Sequence, residues 1–549
     1  MSNLIWKTES AYDYPLLIKN LFAAPIVDNP DQEIVYRGSL RLTYRTFRDR
    51  VARLAAALQA LGISAGDTVA VMDWDSHRYL ECFYAVPMMG AVLHTVNVRL
   101  SAEQLIYTIS HAEDTLIIVN SEFLPLLEQI KSRIDTVKKL VLIVEGGGEP
   151  PASSLRFVGE YETLLAAAQP LAEFPDFDEN TRATTFYSTG TTGMPKGVYF
   201  SHRQLVLHTL GTLGTLSSAA AGARFHREDV YMPLTPMFHV HGWGIPYVAT
   251  MLGVKQVYPG KYVPEILLKL LVEEKVTFSH CVPTILNMLV SNPAVARFDL
   301  SRWKVIIGGA ALPKSVAVAA LKRGIDVFVG YGLSESGPVL TVSQPTTAEL
   351  ALPPEQQVEL RCRTGVPFAM VQLKVVGDDG TEVSRDDRTS GEILVRAPWL
   401  SQGYLKDHSN SEKLWAGGWM HTLDVAARNA AGSIRITDRA KDIIKVGGEW
   451  LSSLELEDIL ALHPSVAEAA VIGQQDVTWG EIPVALVVLK KDAKAAEKEI
   501  STHVKNYVDQ GVLPREAYLV KVRFVDSIDK TSVGKINKVA LRAKHLSAT

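Results

Sequence analysis

Cysteine is scarce: the 549 residues hold only Cys82, Cys281 and Cys362, far apart and without zinc-ligand spacing. That excludes a disulfide framework and fits a reducing compartment. No apolar run reaches transmembrane length, and the first 21 residues are too polar for a secretory leader. A cytoplasmic enzyme is therefore expected. There is no long basic run and the net charge is −4, which weighs against nucleic acid as a partner. Internal repeats and coiled-coil heptads are also missing. What remains is 47% apolar and 21% charged residues, a packed chain too long for one core, with roughly two to four units expected.

The apolar pattern alternates short β-branched runs with amphipathic helices. Thr68–Met72, Thr115–Val119 and Lys139–Val144 read as buried strands, with helices from Thr43, over Tyr79–Met89 and from a Ser101/Gln104 capping box. A second such series runs from Val230–Leu234 to Ile325–Val329. The fold class expected is α/β with largely parallel sheets. Beyond Pro345, Gln372–Val376, Gly391–Arg396 and Ser433–Ile436 are separated by Gly, Asp and Asn turns, which predicts a barrel-like antiparallel subdomain. Past the charged Asp438–Asp442 junction, a small separate α/β domain follows and ends in a solvated stretch, Asp526–Asn537.

Polar, glycine-rich loops follow several strands, where open sheets bind ligands. The central one, Tyr187–Gly197, reads Tyr-Ser-Thr-Gly-Thr-Thr-Gly-Met-Pro-Lys-Gly. Its hydroxyls, its close-approach glycines and Lys196 are groups suited to a polyphosphate, but the spacing is not that of Walker A. By composition alone it is equally a flexible surface loop.

Five motifs in order tip that balance. The central loop, Tyr331-Gly-Leu-Ser-Glu335, Trp419-Met-His-Thr-Leu-Asp424, Asp438-Arg-Ala-Lys441 and Ser532-Val-Gly-Lys535 together resemble the acyl-adenylate-forming superfamily, over almost the whole chain. Met237-Phe-His-Val-His-Gly-Trp243 and Lys445-Val-Gly-Gly-Glu-Trp450 look most like its medium- or long-chain fatty acyl-CoA ligases. The resemblance implies a large domain over residues 1–438, a hinge at 439–441 and a mobile domain over 442–549 that carries the catalytic lysine. It implies ATP, Mg²⁺ and coenzyme A, with a carboxylic acid as substrate. A homodimer is common in such ligases, though no patch in this sequence specifies one.

Residue by residue, the resemblance assigns the phosphates to Thr189, Gly190, Thr191, Thr192, Gly193 and Lys196, and the metal to Glu335 with Thr189. Gly309, Gly330, Tyr331 and Ser334 fall on the nucleotide, Asp424 and Arg439 on its ribose and phosphate. Lys441, Lys445 and Trp450 lie near the nucleotide, and Lys441, Gly447 and Gly448 at the hinge and coenzyme A channel. His239, Val240, Trp243, Gly308 and Gly332 face the acyl group. Lys535 is the adenylation cation. His239 orients the acid rather than deprotonating it, since a carboxylate is already ionised at pH 7. Three departures keep the chemistry: Ser334 for threonine, Leu423 for the glycine before Asp424, and Val533 for a hydroxyl residue before Gly534. The expected reaction joins a medium-chain fatty acid to coenzyme A through an acyl-adenylate. A short thioether or aryl acid, a carrier-protein acceptor and an inert binding module remain as alternatives.

Overall fold

The computed structural model describes residues 3–188, 194–219, 224–447, 449–531 and 535–546. Two large sheets carry the N-terminal part. One has seven strands in the order Gly159–Glu160, Lys139–Ile143, Asp114–Asn120, Thr68–Met72, Val92–Thr95, Arg182–Ser188, Lys196–Ser201. All its pairs are parallel except the last, where Ser188 lies opposite Lys196. The two strands that flank the central loop in sequence are thus paired antiparallel. Thr68–Met72 is buried throughout, as a strand covered on both faces requires.

The second sheet has nine strands. From Asp326–Gly332 it runs in parallel through Lys304–Ile307, Phe278–Cys281, Val230–Leu234 and Lys255–Tyr258 to Glu33–Tyr36, with antiparallel strands at both edges. Alternate residues serve two cores. Tyr231, Ile306 and Phe328 join Val69, Val71 and Phe186 of the first sheet, while Leu234, Cys281, Ile307 and Val327 pack under helices Pro264–Glu273, Pro283–Val290 and Lys314–Leu321. Helices Ala102–Ala112 and His202–Ser217 start with full capping boxes, Ser101/Gln104 and Ser201/Gln204.

The antiparallel part is a four-stranded meander of Gln372–Val376, Ser390–Arg396, Met420–Arg428 and Ile434–Arg439. From Ile444 onward the chain has cores of its own around Val471, Val487, Val504 and Leu541. The stretch expected to be solvated instead buries Ile528 and is followed by helix Lys538–Leu546, seated by the fully buried Leu541. Its charged residues masked a single apolar anchor. The hairpin Glu33–Tyr36/Leu40–Thr43 is likewise unanticipated, its alternation being only four residues long on each side.

Candidate active site

Three strands of the nine-stranded sheet end at one place. Lys304–Ile307 leads into Gly308 and Gly309, Asp326–Gly332 into Ser334–Ser336, and Val230–Leu234 into His239–Gly244. Between them lies a cleft lined by His239, Val240, Trp243, Gly308, Gly309, Gly330, Tyr331, Gly332, Ser334 and Lys535, with Ile306, Leu333, Pro338 and Val339 as apolar wall. All five residues expected at the acyl group, and four expected at the nucleotide, thus meet. A Cβ on Gly332 would fall 1.8 Å from the Pro338 carbonyl oxygen, so only glycine fits there.

Lys535 comes from the small C-terminal part. Its side chain passes 3.5 Å from where a Cβ of Gly309 would stand. Burial, with the Arg439 guanidinium adding repulsion, pulls its ammonium down to about 8. His239 sits close to that cation. Burial first, then Lys535 and Arg99, hold it down at about 3, so it is neutral at pH 7. It presents a hydrogen-bonding ring and no charge.

The backbone beside His239 is strained. Val240, His241, Gly242, Trp243 and Gly244 all have positive φ, from 48° to 69°. A left-handed turn costs roughly 1–2 kcal/mol per non-glycine residue, so three of them cost roughly 3–6 kcal/mol. The surroundings enforce it. His241 is fully buried among Phe83, Phe186, Phe200 and Tyr247, with neither ring nitrogen hydrogen-bonded. The turn drives Trp243 against Gly308, its ring 3.0 Å from where a Cβ would stand.

Beside the cleft residue Tyr331, Asp424 is fixed from two sides. Tyr331 donates its hydroxyl to Oδ2 at 2.8 Å and Arg439 Nε lies 3.1 Å from Oδ1. This carboxylate can accept two ribose hydroxyls bidentately. Leu423, in the usual glycine's place, keeps the glycine conformation at φ 57° and is 63% exposed. Glu335 Oε1 accepts from Tyr404 at 2.7 Å, and Lys196 Nζ lies 4.5 Å from the centroid of the Tyr404 ring. Tyr404 thus joins the proposed metal ligand to the proposed phosphate lysine. Among the described residues no three His, Cys, Asp or Glu side chains gather as a metal cluster. A single carboxylate is the protein donor set that suits Mg²⁺, which keeps its water and takes other oxygens from a polyphosphate.

Thr189, Gly190, Thr191, Thr192, Gly193 and Gly448 lie outside the described residues. Lys441 is exposed beside Arg439. Lys445, Gly447 and Trp450 sit on the hairpin Ile444–Val446/Glu449–Leu451 rather than on the cleft wall, with Lys445 Nζ 5.6 Å from the Trp450 ring and Gly447 against Trp479.

Sequence reasoning missed two supports. Tyr404 follows no chemical motif, only Gly403. Asp75, at the end of the seven-stranded sheet, accepts from Met237 N–H at 2.8 Å and Tyr262 O–H at 2.5 Å, while its carbonyl takes Gly260 N–H. It pins the entry to the strained turn, helped by Thr95 Oγ1 donating to the Phe238 carbonyl at 3.0 Å. Burial pushes the Asp75 carboxyl up to about 7 and that of neighbouring Asp73 up to about 6.

Comparison with known proteins gives the same outline. Residues 22–405 match the model of the AMP-binding enzyme family and residues 455–535 that of the AMP-binding enzyme C-terminal domain. The chain is 37% identical over 509 residues to the long-chain-fatty-acid–CoA ligase of Thermus thermophilus, spanning 92% of this chain and 90% of that one. It is 38% identical over 499 residues to the 3-methylmercaptopropionyl-CoA ligase of Ruegeria pomeroyi, with 90% of each covered. The crystal structure of the anthranilate CoA ligase AuaEII in complex with anthranoyl-AMP superposes with a TM-score of 0.83 at 24% identity, over 97% of this chain and 98% of that one, which speaks to fold. By these matches this chain belongs to the AMP-binding enzyme family, the acyl-adenylate-forming ligases.

Proposed function

We propose that the protein is an ATP-dependent acid–coenzyme A ligase for linear, medium-chain carboxylic acids. The acid's carboxylate attacks the α-phosphorus of ATP, forming an acyl-AMP anhydride and releasing pyrophosphate. The coenzyme A thiol then attacks the acyl carbon, forming the thioester and releasing AMP. One observation carries this reading: Lys535 enters a cleft lined by the apolar Trp243 and Val339 and by Tyr331, whose hydroxyl is bonded to the Asp424 carboxylate. Lys535 meets charge developing on the α-phosphate, Asp424 and Tyr331 hold the nucleoside, Lys196 meets the outer phosphates and neutral His239 orients the acid. Mg²⁺, held by Glu335, would supply charge neutralisation on the triphosphate.

A relative acting on long chains and another on a short thioether acid bracket the proposed length. The second of these is favoured as an alternative substrate by Trp243 standing in the cleft. The test is acid-dependent pyrophosphate release over linear acids from three to sixteen carbons, thioether and aryl acids, with and without coenzyme A. The expected result is a maximum among linear acids of intermediate length and turnover that needs the thiol. Pyrophosphate release without any dependence on acid would refute the reading.

A further inference from the structure

Beyond Trp243 the face of the nine-stranded sheet continues. Ile306, which lines the cleft, is in register with His280, and His280 with Pro233, two residues from Tyr231. Register partners and residues two apart share a face, so Ile306, His280 and Tyr231 form one surface under the indole. The Trp243 and His280 rings lie 5.1 Å apart at 36°. His280 Nε2 hydrogen-bonds the Tyr231 hydroxyl at 2.8 Å, and the two rings stack at 5.8 Å and 13°. Both residues are 0% exposed, and His280 Nδ1 is buried without a hydrogen-bond partner.

The neighbours on this face are apolar, Phe278, Ile306 and Phe328 among them. A polar pair in such surroundings is held differently from a leucine. Its hydrogen bond and stacking fix the ring, and moving the ring strips two buried polar groups of their partner. Trp243, by contrast, is held by apolar packing and by a strained turn.

We propose that the His280–Tyr231 pair is the fixed floor of the acyl arm and sets the longest acid the site accepts. This rests on the ligase reading above. Trp243 is the layer an acyl tail displaces first. His280 is the layer it does not displace, because each further methylene gains less than the broken pair loses. Selectivity then shows a cut-off at one chain length rather than a gentle slope.

The experiment measures kcat/KM for acid-dependent pyrophosphate exchange against carbon number in the full-length protein and in His280→Ala, His280→Val, His280→Phe and Tyr231→Phe. The wild type gains about fourfold per methylene up to its limit and falls beyond it. In the Ala and Val variants the limit moves outward. An acid two carbons past the wild-type limit then gains about 16-fold relative to the acid at that limit. The Phe variant at 280 keeps a ring in place and keeps the wild-type limit. Tyr231→Phe, which alters no packing volume to speak of, frees the His280 ring and blurs the cut-off, so the test survives if the smaller variants at 280 fail to fold. A purely structural role would lower every acid by one common factor, and profiles superimposable on the wild type's would overturn the floor alone. A wild type that exchanges pyrophosphate with no acid at all would overturn the ligase reading and the floor together.

Discussion

Lys535 illustrates how much a single side chain depends on the cavity that receives it. Burial and the Arg439 guanidinium leave its ammonium at about 8, against an ordinary 10.5. Only the protonated form can meet phosphate charge, so that form is complete well below pH 8 and lost as pH rises through it. The kcat/KM for ATP in the adenylation half-reaction should fall above pH 8, and Lys535→Arg, which stays protonated, should flatten that limb. Lys535→Ala should lower acyl-AMP formation by ~10² or more while thioester formation from supplied acyl-AMP suffers less. Equal losses in both half-reactions would defeat the assignment. Leu423 gives a stability prediction of the same kind. An exposed leucine at φ 57° packs against little, so Leu423→Asn, which tolerates that conformation, should raise the unfolding free energy by about 1 kcal/mol in a denaturant titration.

Among the elements, the strained turn and its pin matter most. Asp75 joins the end of one sheet to two loops of the other through Met237, Tyr262 and Gly260. Asp75→Ala leaves the Met237 and Tyr262 donors without their acceptor. It should raise KM for the acid by ~10-fold, about 1.4 kcal/mol, with KM for ATP little changed. Asp75→Asn, whose amide oxygen can still accept from Met237, should retain acid binding. The same residue shapes stability against pH. Burial, with Asp73 adding repulsion and the bonds from Tyr262 and Met237 and the charge of Arg99 opposing, moves its carboxyl from 3.8 to about 7 on folding, so the folded protein holds a proton that the unfolded chain has released. The stability this gives is complete below about pH 4 and is lost as pH rises to 7. Asp75→Asn should remove that slope and be the more stable form at pH 8 by more than about 1 kcal/mol, read from urea midpoints. Strands such as Thr68–Met72 and Val230–Leu234 were legible to the residue because parallel strands covered on both faces are unbroken apolar runs. The turn at Val240–Gly244 was not, since a β-branched residue with positive φ contradicts every local preference and exists only through the aromatic packing around His241.

For the whole molecule, what the sequence revealed of the site was its list of chemical groups, each on its own loop. What it withheld was which groups support them. Nothing near Tyr404 hints that it reaches Glu335, 69 positions away, and nothing in Phe278–Cys281 hints that His280 lies under Trp243. Those are long-range contacts, invisible to periodicity and spacing. Such contacts also flank the proposed hinge at 439–441. Just before it, Asp438 Oδ2 accepts from Ser453 N–H and Oγ–H, both at 2.6 Å, and Arg435 Nη1 lies 2.7 Å from Glu455 Oε1. These bonds tie the meander to the helix Ser453–Ala461 in the arrangement that delivers Lys535 to the cleft. On the proposed reading, thioester formation has the pyrophosphate side vacated and a thiol admitted, with Lys535 placed differently. Cysteines at Arg435 and Glu455, joined by a short thiol-reactive cross-linker in a Cys362→Ser background, should hold the present arrangement. The cross-linked protein should still form acyl-AMP and exchange pyrophosphate but release almost no acyl-coenzyme A, and cleaving the linker should restore release. Full thioester turnover in the locked protein would mean that both half-reactions run in one arrangement and that no rotation about 439–441 is needed.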